Sequence, residues 1–372
     1  MSGLGSAAAH FDPQRLKLAR QLQGITRTEV ARRADLTPAS VSQFESGTHT
    51  PRPATLARLA LALSVPAGFL AGSGQPTLLP DVQDSFFRSL RRTTKRDREQ
   101  ATALAGLAAE LVRSVEQRVT LPPFDDLGLH LDPDNPPEAA EAAASVVRER
   151  WGIPADRPVE NVVRVLERHG IVVFRTALID NDQTSDTVDA FSWTSGPRPL
   201  VMLGTAKNVY ERSRLDAAHE LGHILLHAAD PEPANKQLEQ QAQRFGSAFI
   251  APAELITDGW PTGRLDWRQL QRLRTEVGLS LAALLYRGRD LGLLDAAGYT
   301  SAMKYLSARG WRRQEPGPRP APERPLLITQ ALGLLAEHDI TLEDLAGQAQ
   351  LIAAGQLRDR LGLHAPGLRV TI

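Results

Sequence analysis

Residues 218–227 read AHELGHILLH. On an α-helix, which turns about 100° per residue, His219 and His223 stand one turn apart on one face, where both imidazoles can hold a single cation. Glu220 lies beside the first of them, where its carboxylate can take a proton from a metal-bound water. Ile224, Leu225 and Leu226 follow as an apolar stretch, so the segment has a side to bury as well as a side for chemistry. Proline is absent from Arg212 to Ala228, and the whole run reads as one long helix.

A five-residue match of this kind also arises by chance in helices that bind nothing, so further ligands have to be found elsewhere. A catalytic zinc keeps three protein ligands and one open position. The chain has no cysteine, which leaves His, Asp and Glu as ligands and rules out thiolate nucleophiles and disulfides. Glu239 is the candidate third ligand. It falls early on the next expected helix, Gln237 to Ile250, and antiparallel packing of the two helices would return that face to His219 and His223. His227 competes for the place, but ligands at i, i+4 and i+8 span about 12 Å of rise, too far for bonds near 2 Å. It is left either as a residue that orients a ligand or as the helix end. The donor set suits Zn2+, and Mn2+ or Fe2+ would accept the same residues.

Outward from this helix, Ile171–Phe174, Ala190–Trp193 and Leu200–Leu203 are short β-branched or aromatic runs that read as strands. Residues 138–309 are therefore expected to form one α+β domain. Five prolines in GWRRQEPGPRPAPERP mark 310–325 as a semi-extended linker. Residues 326–372 read as a small helical tail, with Thr341 and Asp344 in capping-box spacing. Upstream, 85–121 is a helical connector that ends at Pro122 and Pro123.

Residues 13–72 read as short amphipathic helices with brief connections. Val30, Ala31, Val41 and Phe44 supply a small core, and Thr37 is a good N-cap for the helix that follows it. Thr37, Pro38, Ala39, Ser40, Ser42 and Gln43 then face outward, where Gln can pair bidentately with adenine in a major groove. Asp35 stands in a tight turn that usually carries Gly, and Asp tolerates the left-handed conformation better than most residues. Residues 1–100 hold 14 Lys and Arg against 8 Asp and Glu, in a chain balanced at 43 against 43, so the basic end is the one suited to a polyanion. Arg88, Arg91, Arg92, Lys95, Arg96 and Arg98 form a separate cluster, read as a solvated helix face in preference to a phosphate contact.

Two resemblances follow from these residues. AHELGHILLH, followed by Glu239, Ala242, Phe245, Phe249 and Pro252, is similar to the ImmA/IrrE metallopeptidase family, approximately from Val146 to Arg289. Residues 15 to 70 resemble the Xre or lambda-repressor-like helix-turn-helix family. The first resemblance implies a zincin-like fold, a zinc site completed by Glu239, and cleavage of transcriptional repressors in stress responses or mobile-element control. Gly246 stands where that family has alanine, a change expected to loosen packing without removing a ligand. The second resemblance implies a double-stranded DNA operator as partner, with a homodimer among the expected states. The fold class expected is mainly α with a small β-sheet: an all-α helix-turn-helix domain, an α+β peptidase domain and a helical tail.

No stretch reaches the roughly 18 apolar residues of a membrane span, and the opening lacks the pattern of a secretory signal, so the expected address is cytoplasmic. The expected activity is zinc-dependent hydrolysis of a peptide bond in a regulatory protein. The alternative left open is a transcriptional regulator whose zinc domain is silent, serving as a structural or ligand-sensing module.

Overall fold

The structure is a computed structural model that describes residues 3–72, 77, 85–86, 94–177, 189–194, 196, 198–228 and 235–363. In chain order the helices begin with α1 (Gly3–Ala9), α2 (Pro13–Leu22), α3 (Arg27–Ala34), α4 (Pro38–Glu45), α5 (Pro53–Ala62) and α6 (Lys95–Glu116). They continue with α7 (Pro137–Arg150), α8 (Val162–Arg168), α9 (Tyr210–Leu226), α10 (Lys236–Ile250), α11 (Ala253–Gly259) and α12 (Trp267–Val277). After α13 (Leu281–Asp290) and α14 (Ala296–Ala308) come α15 (Leu327–Ala336), α16 (Leu342–Gln348) and α17 (Ala354–Leu361). The strands are β1 (Ser85–Phe86), β2 (Val172–Thr176), β3 (Ala190–Trp193) and β4 (Leu200–Gly204). The chain is mainly α with a small sheet, as its periodicity implied.

By packing, the chain divides into two units, one of Met1–Phe124, Gly170–Ala206 and Pro325–Ile372, the other of Asp125–His169 and Lys207–Arg324. In the first unit the helices α1 to α5 surround Leu16, Leu18, Val30, Val41, Leu56 and Leu59, all fully buried. Helix α6, read from the sequence as a connector, is buried along most of its length through Leu104, Leu107, Leu111 and Val115 and joins the same core. Its start is closed by a capping box between Thr94 and Asp97. Arg88, Arg91 and Arg92 lie outside the described residues; Lys95 and Arg96 are exposed.

The sheet runs in the order β1-β3-β4-β2, with β2 parallel to β4 and β3 antiparallel to it. Val172, Phe174, Phe191, Trp193, Leu200 and Met202 add one face of it to the first unit's core. Helices α15 to α17 contribute Ile328, Leu335, Leu345 and Leu357 to that core. The capping box at Thr341 and Asp344 is present.

The second unit is built on α9 and α10, with α7, α8 and α11 to α14 around them. Buried arginines tie its pieces together. Arg287 is fully buried and pairs bidentately with Glu141 of α7, which also accepts from Arg244 of α10 at 2.7 Å. The proline-rich stretch is strapped down: Arg274 donates to the Pro316 carbonyl at 2.8 Å, Glu315 accepts from the Leu281 amide at 2.8 Å, and Arg214 pairs with Glu323. No helix among the described residues is long and apolar enough to cross a membrane.

Candidate metal centre and DNA-binding face

Helix α9 presents His219 and His223, and α10 presents Glu239, so the second unit alone supplies the cluster. The two helices approach closely because both meeting surfaces are small. A Cβ on Gly246 would lie 2.8 Å from the His219 amide nitrogen, and a Cβ on Gly222 would lie 3.1 Å from the Ala242 Cα. These pairings, Gly246 with His219 and Ala242 with Gly222, run in opposite directions along the two helices, so the packing is antiparallel. Gly246 therefore tightens the contact rather than loosening it, and the helix spacing that delivers Glu239 depends on it.

His219 Nε2 and His223 Nε2 are 3.1 Å apart. Glu239 Oε2 is 3.5 Å from the first and Glu239 Oε1 is 3.6 Å from the second. Ligands about 2.0–2.1 Å from a tetrahedral zinc stand roughly 3.3 Å from one another, so two nitrogens and a carboxylate at these separations fit such an ion. His223 and Glu239 are almost wholly buried, whereas the His219 side chain keeps 17% of its exposure, which places the open side of the cluster at His219. Burial pushes the His219 imidazole down, but Glu239, Glu220 and Asp216 outweigh it and leave the ring above its usual value. The negative field that favours a proton there equally favours a divalent cation. Glu220 is 4% exposed on the same helix. His227 does not enter the cluster; it is the C-cap of α9, fully buried, with Nδ1 3.2 Å from His223 Nδ1 and Nε2 2.9 Å from Gln241 Oε1.

In the first unit α3 and α4 form the helix-turn-helix pair. Asp35 closes α3 in the left-handed conformation with φ 52°, and Thr37 caps α4 by accepting from the Ser40 amide at 3.1 Å. Thr37, Pro38, Ala39, Ser42 and Gln43 are exposed, and Ser40 is half-buried with its hydroxyl 2.9 Å from that of Thr37. A buried carboxylate that sequence reading did not single out holds this arrangement: Glu45, at the end of α4, accepts from Arg20 of α2 at 2.5 Å and from Arg27 of α3 at 2.6 Å. The polar rows of α2 to α4 hint at such a pairing, but the partners become identifiable only when three helices meet. Gln241 was likewise unmarked, because its partners lie in the loop before α7.

Two histidines and a glutamate on packed antiparallel helices, in a chain that also presents a capped and exposed α4, define a regulator with a protease-like domain. Residues 16–70 match the family described as helix-turn-helix, and residues 166–288 match the peptidase family described as IrrE N-terminal-like domain. The chain thus joins an Xre-type helix-turn-helix to an ImmA/IrrE-like domain. No curated protein matches it.

Proposed function

We infer that this chain is a cytoplasmic DNA-binding regulator whose second unit is a zinc-dependent endopeptidase, and that its substrate is a regulatory protein, most simply a transcriptional repressor. The observation that carries this reading is the convergence of His219, His223 and Glu239 beside Glu220. Zinc held by the three ligands would supply a Lewis acid and a bound water with a pKa near about 7.

Glu220 has the part a structural site would lack. Adjacent to His219, its carboxylate takes the proton of the attacking water and returns it to the leaving amine, so no protein nucleophile is needed. Substrate enters at the side left open by His219, while the buried His223 and Glu239 keep their orientation. Thr37, Pro38, Ala39, Ser40, Ser42 and Gln43 make the DNA contacts in this reading, with Gln43 reading a base and Thr37 and Ser40 placing α4 against the backbone.

Metal analysis of the purified full chain, paired with a cleavage assay on co-encoded repressors, tests it. One zinc per chain is expected, lost in His223→Ala, and retained in Glu220→Gln with cleavage abolished. Zinc with no cleavage under any condition would favour a silent structural or sensing domain. Absence of metal from the wild type would overturn the reading.

A further inference from the structure

Gln241 of α10 is buried, and its Nε2 donates to the backbone carbonyls of Asp132 and Asn135 at 2.9 and 3.0 Å. Backbone carbonyls only accept, so the NH2 end of the amide must face them and the oxygen must face His227. That oxygen is 2.9 Å from His227 Nε2 and can itself only accept, so His227 carries a proton on Nε2. In the neutral ring Nδ1 is then bare. It lies 3.2 Å from His223 Nδ1, and two bare nitrogens at that distance would repel, so the shared proton belongs to His223 Nδ1. His223 Nε2 is left with its lone pair, facing His219 and Glu239. His219 has no such device among the described residues, where its Nδ1 is buried without a hydrogen-bond partner.

We propose that His227 and Gln241 are positioning residues that lock His223 into its Nδ1–H tautomer, so that Nε2 is bare and aimed before any metal arrives. The proposal rests on the metal reading above for its purpose, but the tautomer is a property of the metal-free chain. The anchor of the relay is the loop ahead of α7, which also donates the Leu131 amide to the Leu226 carbonyl at the end of α9, at 3.1 Å. Gln241 and the α9 residue before His227 are therefore both tied to one loop, and among the described residues the acceptors that Gln241 Nε2 meets are main-chain groups, which do not titrate. Free imidazole in water exchanges between tautomers; here a metal would meet the competent one without waiting.

The test is long-range proton–nitrogen correlation of the histidine rings in the 15N-labelled, metal-free full chain, with assignments from the signals lost in His223→Gln and His227→Gln. Nδ1–H on His223 and Nε2–H on His227 are expected, and Nε2–H on His223 in the wild type would overturn the proposal whatever the variants do. Zinc affinity by chelator competition gives the second readout. His227→Phe, which keeps a ring but removes the acceptor, should weaken binding about 10- to 100-fold. His227→Asn, whose amide oxygen can stand near the lost Nδ1, should recover most of that loss. A His227→Phe affinity within about twofold of wild type, in a chain whose circular dichroism is unchanged, would also overturn it. If the wild type binds no zinc, the metal reading fails while the ring tautomers still decide the relay.

Discussion

At the scale of single residues, the chain separates groups that hold position from groups that carry function. Glu239 and His223 are buried, whereas Gln43 is exposed and bonds Ser46 and His49 through its backbone carbonyl, which a side-chain change leaves in place. Replacing Gln43 should therefore leave folding and metal content untouched. Loss of one good bidentate base contact costs about 1–3 kcal/mol, so Gln43→Ala should bind a duplex selected from random sequence about 5- to 150-fold more weakly. The same variant should retain zinc stoichiometry. Equal loss of DNA and metal binding would show that the two functions share a structural dependence rather than separate sites. Glu45 behaves in the opposite way. It is buried between Arg20 and Arg27, and removing it takes away the close charged partner of the buried Arg20 guanidinium, leaving Glu99 at 3.8 Å. Glu45→Ala should cost about 3–5 kcal/mol in urea unfolding, the size expected for one half of a broken buried pair.

At the scale of elements, the metal cluster depends on how closely α9 and α10 approach. A methyl group on Gly246 would press into the backbone at Ala218 and His219, where neither partner can rotate away. Gly246→Ala should destabilise the chain by about 1–3 kcal/mol, as over-packing does, and should weaken zinc binding because the helices must separate to admit it. A variant of unchanged stability and unchanged affinity would show that the helix pair has slack. This is the point at which reading by resemblance misleads. Alanine is the family's residue at this position, yet in this chain the neighbouring backbone leaves room only for hydrogen.

At the scale of the molecule, the second unit is braced by buried ion pairs as well as by its apolar core. Burial pushes the Glu141 carboxyl up, but Arg287 and Arg244 overcome it and hold the group below its ordinary value of 4.5. A carboxyl with a depressed folded-state pKa contributes its full stabilisation above 4.5 and loses it as pH falls through the lower, folded value. Unfolding free energy measured from pH 6 to pH 2 should accordingly fall more steeply in the wild type than in Glu141→Gln once the pH passes below 4.5. Parallel curves would mean that Glu141 is not a source of acid sensitivity. Urea unfolding at neutral pH should find Glu141→Gln the weaker protein, since the buried Arg287 then loses its charged partner while Arg244 keeps Asp290 at 3.3 Å.

Much of this was written in local sequence. The 3.6-residue recurrence of apolar side chains set the long helices, Thr37 and Thr341 announced helix starts, and β-branched runs marked β2, β3 and β4 to within two residues. The spacing of His219, Glu220 and His223 placed them on α9, because helical geometry converts sequence separation directly into position on a face. What local pattern could not supply was the identity of partners distant in the chain. Grouping of 170–206 and 325–372 with the first 124 residues, burial of α6, strapping of the proline-rich stretch by Arg274 and Arg214, and the link from His227 through Gln241 to the Asp132 and Asn135 carbonyls all join segments far apart in sequence. Those contacts depend on shape and charge meeting in three dimensions, where separation along the chain carries no information. The sequence thus determined which helix could bind a metal, and only the tertiary structure decided how its second histidine is held to do so.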